Sequence, residues 1–360
     1  MMQLLTWPVC LAILFFEAVG LSLLLTPVAQ RLGQRGFLDA PGERKIHEAP
    51  IPRNGGMAIV AAFLIVLLGN IAAAWLFRDA LIERVPHAAN LGQKWKELTA
   101  VLAGGVWIFG VGLLDDRRAL RPLVKFAGQL LAAAPLLIAG IQLKSFLPDA
   151  AGMALTVFWV ALLCNSLNFL DNMNGLSSGV GVICALIFGW IAYDSGQFFM
   201  AAMFLILAGS YAGFWHFNFN KGDIFMGDGG SMFLGYMLAA LSILTNYWEA
   251  GAPSGLPVLM PVVVLGVPLF DTLSVFWIRF RSGQPLYKGD MNHFSHRLVD
   301  LGLSRRGAVM FIYLVTACVG LSALPFKALS LAQALVYSLQ IVIWFCIIYW
   351  IERLGKKKAE

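Results

Sequence analysis

Apolar residues run along this chain in blocks of about twenty, the length a helix needs to cross a bilayer, with short polar stretches between them. About eleven such blocks lie near residues 4–28, 55–77, 98–114, 123–141, 152–170, 175–193, 198–215, 231–248, 256–278, 307–326 and 329–351. The pattern predicts an all-α fold, a polytopic membrane helix bundle of about 10–11 transmembrane helices in a single integral-membrane domain over residues 1–360. No internal repeat or low-complexity tract interrupts it. Mean hydropathy is +0.76, and only 13% of the 360 residues are charged. A soluble domain of this size could not hide so much apolar surface.

Charge sets the expected orientation. No basic residue precedes the first apolar block, and Arg31 follows it, which is unlike a signal peptide. The positive-inside rule then puts the N-terminus outside and the tail Lys356-Lys357-Lys358 inside. Of 26 Lys and Arg residues the proposed outer segments hold Arg78, Arg84, Lys94, Lys96, Lys144 and Lys327, and the inner segments hold the rest. This asymmetry accounts for the net charge of +6 without nucleic acid. The five cysteines all fall in apolar blocks and form no CxxC pair, so they read as small buried hydrophobes.

The inner loops, near 29–54, 115–122, 171–174, 216–230 and 279–306, carry nearly every unusual polar cluster. Asp115-Asp116 ends the third block. NSLNFLDNMNGLSSG supplies Asn165, Asn168, Asp171, Asn172 and Asn174; FNFNKGDIFMGDGGS supplies Asn218, Asn220, Asp223 and Asp228. KGDMNHFSHRL holds Lys288, Asp290, His293, His296 and Arg297; the first inner loop holds Arg44, Lys45, His47 and Arg53. Singly, each has a plain explanation. Basic inner loops orient membrane proteins, Asn-Gly and Asp-Gly steps make turns, and His293 and His296 lack a third metal ligand. Together, carboxylates and amides stand at the ends of at least three spans on one face. Hard oxygen ligands beside Lys and Arg suit Mg²⁺ with a nucleotide or diphosphate. Asp271, inside an apolar block, reads either as a group with a structural partner or as a catalytic one; Glu17 reads as a bundle-facing carboxylate near its partner, and Trp248, Trp344 and Trp350 as interfacial anchors.

In order and spacing the motifs resemble the polyprenyl-phosphate N-acetylhexosamine-1-phosphate transferase superfamily. The resemblance runs through Pro50, Pro52, Arg53, Gly55 and Gly56, then Asp115-Asp116 with Lys125, then NFLDNMNGL. It continues with Asn218 ten residues before Asp228 of FMGDGGS, PLFDT at 268–272 and the final HFSHRL. It implies a multi-span bundle in the bacterial inner (plasma) membrane with a site facing the cytoplasm. It implies transfer of a sugar 1-phosphate from a UDP-N-acetylhexosamine to undecaprenyl phosphate, releasing UMP, as a first membrane step of envelope polysaccharide synthesis such as O-antigen. It also implies Mg²⁺, with Mn²⁺ as a substitute, and homodimers. The run His293-Phe294-Ser295-His296-Arg297 is nearer the N-acetylglucosamine branch than the phospho-N-acetylmuramoyl-pentapeptide branch, which carries three adjacent histidines. It is also not the HxHH form usual in the first branch. Asn174 stands where many bacterial members have aspartate.

The resemblance implies Asp228 and Asn168 as metal ligands, with Asp228, Asp115 and Asp116 in catalysis. Lys125, Lys45, Arg53, Asp171, Asn174, Asn218, His293, His296 and Arg297 would hold substrate. Attack is either direct, which we favour, or through an aspartyl-phosphate on Asp115 or Asp116. The rival of another class is a secondary transporter, which would place its site at the midplane within internal repeats. A non-catalytic scaffold would not need metal-competent carboxylates on three helix ends.

Overall fold

The computed structural model describes residues 6–39, 50–77, 94–143, 148–247, 255–285 and 291–359. The chain forms two compact units, Met1–Thr245 and Asn246–Glu360.

In the first unit α1 (Trp7–Gly33) is followed by β1 (Leu38–Asp39) and β2 (Ile51–Pro52), a two-residue antiparallel pairing. Next come α2 (Gly55–Leu76), α3 (Trp95–Arg117), α4 (Pro122–Ala132), α5 (Ala134–Ile138) and α6 (Asp149–Leu170). They are followed by α7 (Leu176–Asp194), α8 (Phe198–Asn220) and α9 (Gly227–Leu244). The second unit holds a short 3₁₀ turn, α10 (Met260–Val264), α11 (Gly266–Arg281), α12 (Phe294–Asp300), α13 (Arg305–Leu321) and α14 (Leu331–Ala359).

Among the described residues nine helices are long and apolar enough to cross a membrane, or up to ten if a bent pair counts as one span. The protein is therefore a polytopic helical membrane protein. Two of the expected blocks are broken. Leu256–Val264 and Gly266–Arg281 meet at 72° where prolines 261 and 268 remove backbone donors. The fourth block is split at Ala133, just before Pro135, leaving only the shorter apolar run Pro122–Ile138. This broken run still travels the depth of α6. Lys125 near its start meets Asn168, and Leu143 beyond its end donates its N–H to Thr156 Oγ1 at 2.8 Å.

Helix α9 is the hub of the first unit, packing on α2, α3, α6, α7 and α8, and it is the most buried of the spans. Glycines let its first turn approach two neighbours backbone to backbone. A β-carbon on Gly112 of α3 would lie 2.5 Å from Gly229 Cα, and one on Gly56 of α2 would lie 2.4 Å from Gly230 N. Nothing at either contact can rotate away. Gly112→Ala is therefore expected to destabilise the protein by about 1–3 kcal/mol through overpacking. Thermal unfolding in detergent checks it, and an unchanged midpoint would mean that the two backbones stand farther apart.

The segment before α2 is stitched to the segment before α9. Phe225 donates its N–H to Pro52 O at 2.7 Å, and Gly55 and Gly56 donate to Phe225 O and Met226 O at 2.9 and 2.8 Å. These bonds carry Arg53 to the N-terminus of α9.

Candidate active site

The N-terminus of a helix leaves backbone N–H groups unsatisfied, and a carboxylate there is stabilised by both hydrogen bonds and the helix dipole. Asp116, at the end of α3, fills that role for α9. Its Oδ1 accepts from Asp228 N at 2.9 Å and its Oδ2 from Gly229 N at 3.0 Å. Its side chain is fully buried, with Arg53 Nε 3.2 Å from Oδ1. Gly227 makes this cap fit: its φ is +76°, and a β-carbon would sit 2.6 Å from Asp116 Oδ2. The acidic Asp116 at the C-terminus of α3 is thus stabilised by the start of another helix.

Asp115 is turned elsewhere. Its Oδ1 accepts from Leu120 N at 2.6 Å, closing the turn into α4, and its Oδ2 lies 3.1 Å from Lys125 Nζ. Lys125 also donates to Asn168 Oδ1 at 3.1 Å and to Asp228 Oδ2. Asp228 Oδ1 accepts from Asn168 Nδ2 at 3.1 Å and stands 3.7 Å from Arg53 Nη2. Ser231 Oγ accepts from Asn168 Nδ2 at 2.9 Å. Three oxygens from three helices therefore converge on one cationic nitrogen: Asp115 from α3, Asn168 from α6 and Asp228 from α9.

Asp171 follows directly on α6. Burial, with the neighbouring Asp228 and Asp116 charges, pushes its carboxyl up to about 8, against the opposing pull of Arg53. Its protonated form is therefore favoured at neutral pH. Between its ordinary value of 3.8 and about 8 the folded chain holds a proton that the unfolded chain has lost. Stability should therefore fall as pH rises through that window, and the full cost is present above it. Asp171→Asn, which mimics the neutral acid, is expected to flatten the decline. The check is the unfolding midpoint from pH 5 to 9 without added divalent cation; parallel curves for the two proteins would contradict it.

Other expected residues take other places. Asn218 is buried, with its Oδ1 accepting from Gly175 N at 2.5 Å and its Nδ2 donating to Ile224 O at 2.8 Å. Its amide fastens two loops together rather than facing outward. Asn174 is exposed, near Gly222. Lys45, with Arg44, His47, Lys288 and Asp290, lies outside the described residues.

The second unit has its own polar cluster. Asp271 is fully buried on α11, and its Oδ2 is 2.9 Å from His293 Nδ1 while its Oδ1 accepts from Phe294 N at 2.6 Å. The expected structural partner of Asp271 is thus a histidine of the last motif. Arg297 is also buried. Its Nε donates to Glu352 Oε2 at 2.9 Å, its Nη2 to Ser274 Oγ at 3.0 Å and its Nη1 to Asn292 O. The guanidinium pins α12 to α11 and α14. Burial and the adjacent His293 hold the half-buried His296 below the usual histidine range, with Arg305 adding to the shift.

Sequence reasoning missed three participants. Glu352 had no motif around it. Ser231 was one serine among several. Gln129 gave the clearest available signal, a polar residue one helical turn after Lys125 in an apolar run.

Helix ends in a multi-span bundle thus gather three carboxylates, an amide, a lysine and an arginine in one place, the equipment of a membrane-embedded transferase. The chain belongs to glycosyl transferase family 4, whose profile matches residues 98–246. It is 31% identical over 360 residues to a Bacillus subtilis (strain 168) protein named "Probable undecaprenyl-phosphate N-acetylglucosaminyl 1-phosphate transferase", covering 97% of this chain and 94% of that one. It is 33% identical over 341 residues to the "Decaprenyl-phosphate N-acetylglucosaminephosphotransferase" of Mycobacterium tuberculosis (strain ATCC 25618 / H37Rv), covering 87% and 80%. A "Phospho-N-acetylmuramoyl-pentapeptide-transferase" of Streptococcus agalactiae serotype Ia is 30% identical over 225 residues, 57% of this chain and 63% of that one. These relatives bear out the enzyme reading of the sequence over the transporter.

Proposed function

We propose that the protein transfers N-acetylglucosamine 1-phosphate from its UDP-sugar to undecaprenyl phosphate, at the cytoplasmic face of a bacterial plasma membrane. The observation that carries this reading is the set of oxygens from Asp115, Asn168 and Asp228 around Lys125. Two relatives matched over most of the chain are named for N-acetylglucosamine phosphate transfer, which favours that sugar over the muramoyl-pentapeptide. The basic bias of the loops near 29–54 and 279–306 supports a cytoplasmic site.

The reaction brings two anions together. An oxygen of the lipid phosphate forms a bond to the sugar-bearing β-phosphorus, the bond from that phosphorus to the bridging oxygen breaks, and UMP leaves with that oxygen. Positioning and charge neutralisation dominate such a transfer. Lys125 and Arg53 supply positive charge. Lys125 is held by the carboxylates of Asp115 and Asp228, and phosphate oxygens would compete for it. Asp115, at the lysine, is placed to organise the incoming phosphate and accept its proton. Asp116 holds the first turn of α9 so that Asp228 faces Lys125. Asp171, directly after α6, would help position the nucleotide.

The donor set also fits Mg²⁺. Among the described residues no group of three or more His, Cys, Asp and Glu side chains is spaced for a metal. The set here is smaller: Asp228 with the amide oxygen of Asn168, and Asp115 nearby. Mg²⁺ is commonly held by one or two carboxylates, taking its other oxygens from phosphates and water. When bound, it would neutralise charge on the diphosphate.

The test uses purified protein with undecaprenyl phosphate and a panel of UDP-N-acetylhexosamines, read by UMP release with and without a chelator. Release with UDP-N-acetylglucosamine that stops on chelation and returns with Mg²⁺ supports the proposal. Folded protein that neither releases UMP from any donor nor binds one would overturn it.

A further inference from the structure

Helix α4 carries Lys125, yet few apolar side chains tie it to the bundle. Its buried residues are Gly128, Gln129 and Ala132, while Leu123, Val124, Phe126, Leu130 and Leu131 face outward. Against α3, α4 is seated by Val111 on Gly128 and by the close approach of Gly104 to Ala132 O, but no bulky apolar side chain of α4 is buried to choose its register against α6. Two polar contacts add to this, one on each side. Trp107 of α3 donates Nε1–H to Gly128 O at 2.9 Å. On the other side, the amides of Gln129 and Asn165 embrace. Gln129 Nε2 donates to Asn165 Oδ1 at 3.2 Å, and Asn165 Nδ2 donates to Gln129 Oε1 at 2.6 Å. Gln129 is fully buried.

This pair is one rung of a ladder. Gln129 lies four residues after Lys125, and Asn165 lies three before Asn168, so each shares a helix face with its site neighbour. The upper rung is Lys125 with Asn168 at 3.1 Å, and both touch Asp228. The lower rung lies one turn deeper in the membrane, where an amide without a partner is costly. Sliding α4 along α6 would break both bonds of the lower rung at once.

We propose that Gln129 and Asn165 are positioning residues for the transfer. Their reciprocal amide pair fixes the register of α4 against α6 and so holds Lys125 and Asn168 on Asp228. The inference rests on the function proposed above for what Lys125 does, though the register itself does not.

The test replaces both partners by apolar groups of similar size, Gln129→Leu with Asn165→Leu. Removing both partners of a buried bond is near neutral or stabilising, whereas removing one leaves the other unsatisfied. The double variant should therefore unfold at or above the wild-type midpoint, while either single variant unfolds lower. Turnover of the double variant should fall roughly 10- to 100-fold, the range seen when residues supporting a site are lost, with KM for both substrates little changed. In a Lys125→Ala background the same double change should lower turnover no further. A purely structural pair predicts the opposite: a stable double variant with wild-type turnover, or an undiminished loss without Lys125. Either result overturns the proposal.

A readout independent of activity covers failure of the functional reading. In the wild type, Lys125→Ala and Asp228→Asn should be strongly coupled in their effect on the unfolding midpoint. That coupling should shrink in the Gln129→Asn variant, whose shorter amide cannot close the pair. Undiminished coupling there would mean the register survives without the pair, and would overturn the inference. No transfer by the wild-type protein would instead sink the functional proposal, leaving the coupling to decide the register.

Discussion

Asp228→Ala is expected to lower the rate of sugar-phosphate transfer by about 10²- to 10³-fold, with the protein still folded. Removing one preorganised charge-stabilising group from an active site commonly costs that much, and Asp228 meets Lys125, Asn168 and Arg53 at once. Asp228→Asn should be nearly as inactive, because an amide keeps the shape but loses the charge that opposes Lys125. Single-turnover kinetics on both variants, with circular dichroism to confirm folding, checks the prediction. A loss confined to KM would mean that Asp228 only binds substrate. Retained turnover would remove it from the site.

The second large effect concerns stability in the other unit. Glu352→Ala should destabilise the protein by about 3–5 kcal/mol, because it strips the carboxylate from a buried guanidinium. Arg297 would keep Ser274 and the Asn292 carbonyl but lose its counter-charge. Arg297→Met combined with Glu352→Leu should recover most of that loss, since a buried ion pair is often replaceable by apolar side chains of similar volume. Chemical unfolding of the three variants in one detergent separates these outcomes. If Glu352→Ala alone unfolds like the wild type, the pair contributes nothing and α12 is held by other means.

The arginine shows where sequence and structure part. From the sequence, the family resemblance implies that Arg297 holds substrate together with His293 and His296. Its partner is some 55 residues away on the last helix, at a glutamate with no motif, and only tertiary packing reveals that contact. Asp115 and Asp116 show the same limit at closer range. Adjacent residues on a helix point about 100° apart, so one reaches Lys125 and the other caps α9. The sequence marks the pair as unusual but cannot assign the two directions.

The motif positions that meet at α9 were legible because their chemistry is unmistakable in an apolar chain. Lys125, Asn168 and Asp228 are polar residues at the ends of apolar blocks, and the bundle brings all three together. Asn218 was equally conspicuous, yet its amide serves Gly175 and Ile224. A polar residue in a membrane protein must satisfy its hydrogen bonds somewhere, and composition alone cannot separate a loop fastener from a ligand. The helix count was legible from block length, except where prolines 135, 261 and 268 broke blocks whose hydropathy stayed high.

The fate of the sugar-bearing phosphorus decides which bond the protein breaks. We would give the protein undecaprenyl phosphate and UDP-N-acetylglucosamine labelled separately in the sugar and in the β-phosphate, and follow both labels into the lipid. Phosphoryl transfer carries both labels to the lipid in equal amounts, matched by UMP in solution. Sugar label in the lipid with the β-phosphate left behind in UDP would contradict it, because the bond broken would then be the glycosidic one.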